Sequence, residues 1–90
     1  MDYPKVYSIT SQNNYKGKYM TDVVIRGINL LGNGKCVKKV TLAGIPGNVI
    51  LANKKDIFMY AGLGEPGLQG VICIENELGE VIMGGSWKYE

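Results

Sequence analysis

A glycine-rich stretch at residues 62–70 carries the one pattern in this sequence that is associated with phosphate binding. Positions 62–67 spell G-x-G-x-x-G. In dinucleotide-binding proteins a helix begins within these glycines, and its N-terminus holds the pyrophosphate. Here Pro66-Gly67 favours a turn, and the β-branched run at 71–74 favours a strand. The pattern therefore does not predict a phosphate site.

The same stretch has two remaining interpretations. It is either a plain connection between two apolar strands, which we favour, or a recognition loop that projects from the domain. A turn stiffened by proline and glycine loses little conformational entropy on binding, and loops carry function more often than the elements they join. The candidate binding residues of the loop are Leu63, Gly64, Glu65, Pro66 and Leu68.

Catalysis is not indicated. The chain has no histidine, which removes the commonest general base and the commonest metal ligand at neutral pH. Glu75, Glu77 and Glu80 are the nearest group of carboxylates, but they surround a predicted hairpin turn, where charged side chains are ordinarily just solvated. We therefore predict no catalytic residues, no metal site and no cofactor.

Aromatic and basic residues alternate near both ends of the chain. This combination suits a single-stranded nucleic-acid surface, since aromatic rings stack on bases and lysines bind phosphates. It equally suits a protein interface or strands half-packed on a core. The net charge of only +2 favours the structural or protein-binding interpretation. The residues concerned are Tyr3, Lys5, Tyr7, Tyr19, Trp87 and Lys88.

Length and composition predict one globular domain over residues 1–90. Apolar residues make up 46% of the chain and charged residues 20%, which are ordinary globular values. The chain begins without a signal-peptide pattern and has no apolar run of transmembrane length, so we expect a cytoplasmic protein without a membrane partner. Cys36 and Cys73 do not form a disulfide framework. We expect Cys73 to be buried and inert, and whether the two cysteines are bridged stays open.

About seven short β-favouring runs, separated by turn signals, predict an all-β fold. We expect antiparallel strands with hairpin connections, arranged as a small barrel or a two-sheet sandwich. Alternation in the first run places Lys5, Tyr7 and Ile9 on one face. Glycines predict a bulge or bend at Gly27 and another at 84–86.

Two turns have specific predicted types. Asn33-Gly34 favours a type I′ turn, because both central residues of that turn need positive φ. Ile45-Pro46-Gly47-Asn48 favours a type II turn, with proline and glycine at the central positions. The first turn predicts a hairpin between the runs on either side of it.

Together these observations predict a small, non-catalytic β-domain that acts through protein binding, homo-oligomeric assembly or both. A small core that buries limited surface makes self-association plausible. Two alternatives remain open. One is a β-barrel that binds single-stranded nucleic acid through the Tyr, Lys and Trp residues, and the other is binding of a small anionic ligand or nucleotide by glycine-rich loops.

Overall fold

The chain folds into two four-stranded antiparallel sheets packed face to face, in a computed structural model that describes residues 4–11 and 22–89. The first sheet has the order β1-β2-β6-β5 and the second the order β4-β3-β7-β8. The strands are β1 (Lys5–Ser11), β2 (Asp22–Ile28), β3 (Val37–Leu42), β4 (Ile45–Pro46), β5 (Asn48–Ala52), β6 (Asp56–Tyr60), β7 (Gln69–Asn76) and β8 (Val81–Lys88). The predicted all-β class is confirmed, and its form is a sandwich rather than a closed barrel. The described residues include no helix that could span a membrane.

The core lies between the sheets and comes from alternate residues of the central strands. Residues of one strand point to opposite faces in turn, so Val23 and Ile25 of β2 face inward and are at most 1% exposed. Each such side chain stabilises the fold by about 1.5–3 kcal/mol when buried. The inner residues of the other central strands are Ile57 and Met59 of β6, Val40 and Leu42 of β3, and Ile72 and Ile74 of β7.

Four bulges interrupt the ladders of the described strands, and each inserts one extra residue. β1 inserts Tyr7, β3 inserts Lys38 and β5 inserts Ile50, while β8 places residues 85 and 86 opposite Val71. The predicted bulge at 84–86 is confirmed, with Gly85 at a φ of 68°. Bulges at sheet edges disturb the free backbone edge and so discourage further strand pairing.

The bulge in β1 overturns the predicted alternation of that strand. Because Tyr7 is an extra residue, Val6 and Ile9 both pack against the core while Tyr7 is 60% exposed. The bulge predicted at Gly27 lies instead in the neighbouring strand β1, and Gly27 itself pairs in register with Val6. A side chain at Gly27 would overlap the carbonyl oxygen of Lys5.

The predicted hairpin at Asn33-Gly34 is wrong. β2 and β3 belong to different sheets, and residues 29–36, the crossover segment, carry the chain from one to the other. Positive φ occurs at Asn29 and Gly32 instead, at 50° and 57°. The side chain of Asn33 bonds to a distant carboxylate, so tertiary contacts override the local turn preference.

The hairpin with two left-handed central residues lies at Ala43-Gly44, between β3 and β4. Their φ values of 54° and 83° fit the type I′ turn that matches the twist of paired strands. The predicted type II turn at residues 45–48 is wrong, because Ile45–Pro46 forms β4 and Gly47 leads directly into β5. The backbone N–H of Gly47 donates to Val40 O at 3.0 Å, which fixes this passage between sheets.

Asn76 joins the crossover segment to the β7–β8 turn. Its side chain is fully buried, and its Nδ2 donates to Leu31 O at 2.9 Å. Its Oδ1 accepts from the backbone N–H groups of Leu78 and Glu80 at 2.9 and 3.0 Å. A buried amide is favourable when its polar groups are paired, and Asn76 pairs both ends of its side chain.

Two carboxylates complete this connection by accepting backbone hydrogen bonds from the crossover segment. Glu80 accepts from the side chain and backbone N–H of Asn33 at 2.8 and 2.9 Å. Glu77 accepts from the backbone N–H groups of Lys35 and Cys36 at 2.8–3.2 Å. Hydrogen bonds from Lys35 and then Cys36 lower the pKa of Glu77, and those from Asn33 lower the pKa of Glu80. The sequence suggested that the carboxylates around this turn are simply solvated. Glu77 and Glu80 instead accept specific hydrogen bonds from the crossover segment.

Acid should weaken this connection. Since the folded pKa values lie below the ordinary 4.5, the stabilisation is complete above that value and is lost as the pH falls below it. The free energy of unfolding, measured with urea between about pH 6 and pH 3, should fall more steeply in the wild type than in a Glu77→Gln, Glu80→Gln double variant. Glu65→Gln removes a carboxylate from the opposite end of the domain and serves as the control. Equal slopes in wild type and double variant would show that these bonds contribute nothing.

Candidate binding surfaces

The glycine-rich loop connects the two sheets, running over residues 61–68 from β6 to β7. Tyr89 holds it in place. The Tyr89 hydroxyl donates to Gly62 O at 2.8 Å, and the Tyr89 backbone exchanges hydrogen bonds with Gly67 and Leu68 at 2.7 and 2.8 Å. The Tyr89 side chain is only 6% exposed, and its burial raises the pKa of the phenol. The loop is therefore a fixed part of the sandwich.

Close packing explains two glycines of the loop, and backbone conformation explains a third. A side chain at Gly62 would overlap the carbonyl oxygen of Pro46, and one at Gly64 would overlap the ring of Tyr89. Gly67 has a φ of 91°, which side chains disfavour. β7 follows at Gln69, so the stretch precedes a strand, as the sequence predicted.

The predicted recognition residues of the loop have different exposures. Leu63 is 61% exposed and Leu68 37%, and Glu65 and Pro66 are also exposed, whereas Gly64 is half-buried against Tyr89. The backbone N–H of Leu68 donates to Glu65 O at 3.1 Å and closes the turn. The loop presents a firm, partly apolar tip, and its recognition role stays a prediction.

The aromatic residues near the two ends do not form one exposed platform within the described residues. Trp87 is half-buried, packs against the core and meets Tyr89 edge-to-face at 5.8 Å between ring centroids. Lys5 and Tyr7 are exposed on β1, with the Lys5 ammonium 5.6 Å from the Tyr7 ring centroid. Lys88 is also exposed. Tyr3 and Tyr19 lie outside the described residues. Of the predicted nucleic-acid surface, the structure therefore shows only Lys5 and Tyr7 exposed next to each other.

The outer face of the first sheet carries the largest group of exposed apolar side chains that share one face. In β6, Ile57 and Met59 point into the core, so Phe58 and Tyr60 point outward and are each 37% exposed. On the edge strand β5, Ile50 and Leu51 are 58% and 57% exposed. We call these four residues the first-sheet patch.

Val24 lies beside the patch on the same outer face of the sheet, where it is only 5% exposed. Thr10, Val24, Phe58 and Leu51 are register partners on neighbouring strands, so their side chains form a row on the outer face. Sequence reasoning missed this surface. Its signal is the run of five apolar residues at 57–61, because a strand cannot bury both of its faces at the surface of a two-layer fold.

Charged residues flank this row. Arg26 and Asp22 lie on the outer face of β2, two residues to either side of Val24. The Arg26 Nε lies 3.5 Å from the Asp56 carboxylate, in a pair whose side chains are 66% and 36% exposed. Exposed pairs of this kind contribute at most about 1 kcal/mol, so they shape specificity more than stability.

The outer face of the second sheet is apolar but more interrupted. Val71, Val81 and Met83 are 45%, 55% and 63% exposed, with Cys73 half-buried opposite Met83. Charged residues enter the same face at Glu75, whose carboxylate lies 3.8 Å from the ammonium of Lys38.

Both cysteines are free thiols. Cys36 is exposed in the crossover segment. The expectation that Cys73 is buried is wrong, because the apolar run at 71–74 alternates between the two faces of β7 and Cys73 falls on the outer one. No bridge between the two cysteines forms in this structure.

An open cleft of about 550 Å³ lies between the crossover segment and the β5–β6 turn, with Lys35 and Lys54 on its walls. Among the described residues, this cleft most resembles the glycine-rich anion site considered in the sequence analysis. The backbone N–H groups of Asn33 and Lys35 already donate to Glu80 and Glu77, so the chain's own carboxylates take the donors that an anion would need. Among the described residues, no three His, Cys, Asp or Glu side chains are grouped to hold a metal ion.

Comparisons with models of protein families, with curated proteins and with solved structures give no match to this chain.

Proposed function

We propose that this chain is a non-catalytic protein-binding domain whose contact surface is the first-sheet patch. The observation that carries the proposal is that Ile50, Leu51, Phe58 and Tyr60, between 37% and 58% exposed, lie together on one outer face. Monomeric proteins rarely expose contiguous apolar patches of large size, and such patches typically mark interaction sites.

The chemistry of the patch suits a protein partner. Aromatic side chains are enriched at the centres of interfaces and charged ones at the rim. Here Phe58 and Tyr60 are central, while Asp22, Arg26 and Asp56 lie around them. Covering a side chain of this size completely stabilises a contact by about 1.5–3 kcal/mol relative to leaving it in water. Four partly exposed side chains therefore supply several kcal/mol.

The edge of β5 supports contact through the face rather than extension of the sheet. β5 has no strand partner on its outer side in the described part of the chain. Its bulge at Ile50 makes the free backbone edge irregular, which opposes regular strand addition. The apolar side chains of the bulge remain available on the outer face.

The partner is another protein or a second copy of the chain, and the expected location is the cytoplasm. Nucleic-acid binding is less well supported, because the ring of Trp87 packs against the core and Lys5 and Tyr7 offer a small platform. Binding of a small anion is opposed because Glu80 and Glu77 already accept from the backbone N–H groups of Asn33 and Lys35 in the cleft wall.

Hydroxyl-radical footprinting tests the proposal without knowledge of the partner. The purified protein is oxidised when dilute, when concentrated, and when added to a lysate of the source cells. Oxidation of Phe58, Tyr60 and Leu51 should decrease in the concentrated sample, the lysate or both. Val81 and Met83 on the other sheet, which are 55% and 63% exposed, are the internal reference. Unchanged oxidation of the patch in both conditions, or protection of the second sheet instead, would overturn the proposal.

A further inference from the structure

We propose that the partner on the first-sheet patch is a second copy of this chain, stacked face to face about a two-fold axis. The axis runs across the strands, along the row of Thr10, Val24, Phe58 and Leu51. The inference rests on the proposed function and specifies its partner.

The register of the sheet defines this axis. Thr10 pairs with Val24, Val24 with Phe58, and Phe58 with Leu51. A two-fold axis along the row places each of these residues over its own equivalent, so Phe58 meets Phe58 and Leu51 meets Leu51, with Thr10 at one end and the 5% exposed Val24 next to it. It also reverses the strand direction of the partner, as in a self-complementary dimer interface.

The charges beside the row become complementary under the same rotation. Arg26 lies two residues after Val24 on β2, and Asp22 lies two residues before it. Reversal of the strand places Arg26 over Asp22 of the partner subunit. The two-fold symmetry also places Asp22 over Arg26 of the partner subunit, so the interface contains this charge pair twice. On β6 it places Asp56 over Tyr60 of the partner subunit, so a carboxylate faces a phenol that can donate a hydrogen bond.

A two-fold axis along the strands is less favourable. It would exchange the outer strands, placing Leu51 of β5 over Thr10 of β1, whose neighbour on the outer face is Ser8. The most exposed apolar side chains would then face polar ones. Both axes place Arg26 over a carboxylate, because the axis along the strands exchanges β2 with β6 and brings Arg26 over Asp56 of the partner subunit. Only the axis across the strands also keeps Leu51 over an apolar side chain.

The expected affinity follows from the size of the face. Four strands about 4.8 Å apart, each spanning about 17–23 Å, give roughly 400 Å² per copy. A total near 800 Å² lies below the roughly 1,200–2,000 Å² of stable interfaces and corresponds to a weak, transient contact. The dimer should therefore be weak and reversible, with a Kd in roughly the micromolar range or above.

Charge exchange tests the geometry directly. Sedimentation velocity over a concentration series should show a monomer–dimer equilibrium for the wild type. Arg26→Asp and Asp22→Arg should each raise Kd by about ten-fold or more, because each creates two contacts between like charges. The double variant should return Kd close to the wild-type value.

Two controls separate association from folding. Lys88→Asp reverses an exposed charge on β8 of the second sheet and should leave Kd unchanged. The Arg26→Asp single variant and the double variant both place an aspartate beside Asp56, so rescue by the double variant cannot come from restoring that internal pair. Urea unfolding of each variant checks that it is folded.

The possible outcomes are distinct. Rescue in the double variant supports the proposed dimer. A dimer that both single variants weaken but the double variant does not rescue overturns the proposed axis. A wild type that is monomeric up to high concentration overturns the second copy as partner. In that last case, protection of Phe58 and Tyr60 in the lysate footprint would still support the proposed function.

Discussion

Replacing Asn76 with leucine should lower the free energy of unfolding by about 3 kcal/mol or more. The leucine side chain is similar in size but cannot form hydrogen bonds. The backbone N–H groups of Leu78 and Glu80 would lose their acceptor, and Leu31 O would keep only its hydrogen bond from the backbone N–H of Gly34. Each buried polar group left unpaired costs about 1–3 kcal/mol. Urea denaturation with linear extrapolation measures the loss.

Asn53→Leu is the matched control. The Asn53 Oδ1 also accepts two backbone hydrogen bonds, from Lys55 and Asp56, both at 2.8 Å. These donors lie in an exposed turn, where water can replace the lost acceptor, so we expect a loss of about 1 kcal/mol or less. Equal losses in the two variants would contradict the structural role assigned to Asn76.

Gly27→Ala should be the second strongly destabilising substitution. The new Cβ would overlap the backbone carbonyl of Lys5 and approach the side chain of Leu30. Since the obstacle is backbone, relief requires β1 to move away from β2. Overpacking alone costs about 1–3 kcal/mol, and loss of strand pairing adds to it. We expect the cost in unfolding free energy to exceed that range, with reduced hydrogen-exchange protection concentrated in β1.

Gly44→Ala separates crowding from backbone strain. Gly44 has a φ of 83° but no atom near the position of an added Cβ. Its substitution should cost about 1–2 kcal/mol, the usual penalty for a side chain in the left-handed region, and should leave β1 protected. The argument for Gly27 fails if Gly44→Ala costs as much, or if protection in β1 survives Gly27→Ala.

The strands were predictable from the sequence because most of them are short runs of β-favouring residues between turn residues. Val81–Lys88 and its bulge follow from this pattern. The partners of the strands were not predictable in the same way. Asn33-Gly34 has a strong local preference for a hairpin, but Glu80 binds Asn33 from 47 positions away. Local sequence patterns around Asn33 cannot reveal a contact with a residue so far away in the chain.

For the candidate surfaces too, residue types were predictable from the sequence but their spatial neighbours were not. The residue types that suit binding near the ends of the chain were evident, yet the structure commits Trp87 to the core. The first-sheet patch arises from register, since Leu51 and Phe58 become neighbours only when β5 pairs with β6 across a bulge. The bulge itself has no clear signal in the Val-Ile-Leu-Ala run at 49–52. With strict alternation, Ile50 and Leu51 could not both lie on the outer face.

The connection between the crossover segment and the β7–β8 turn also constrains the order in which the protein folds. Its hydrogen bonds join residues 41–47 positions apart in sequence. Contacts over such separations form late, because closing a long stretch of chain costs entropy before any contact compensates for it. During synthesis, β2 and β3 emerge from the ribosome well before residues 76–80 exist. The backbone N–H groups of Asn33 and Lys35 therefore stay bound to water until residues 76–80 have been made.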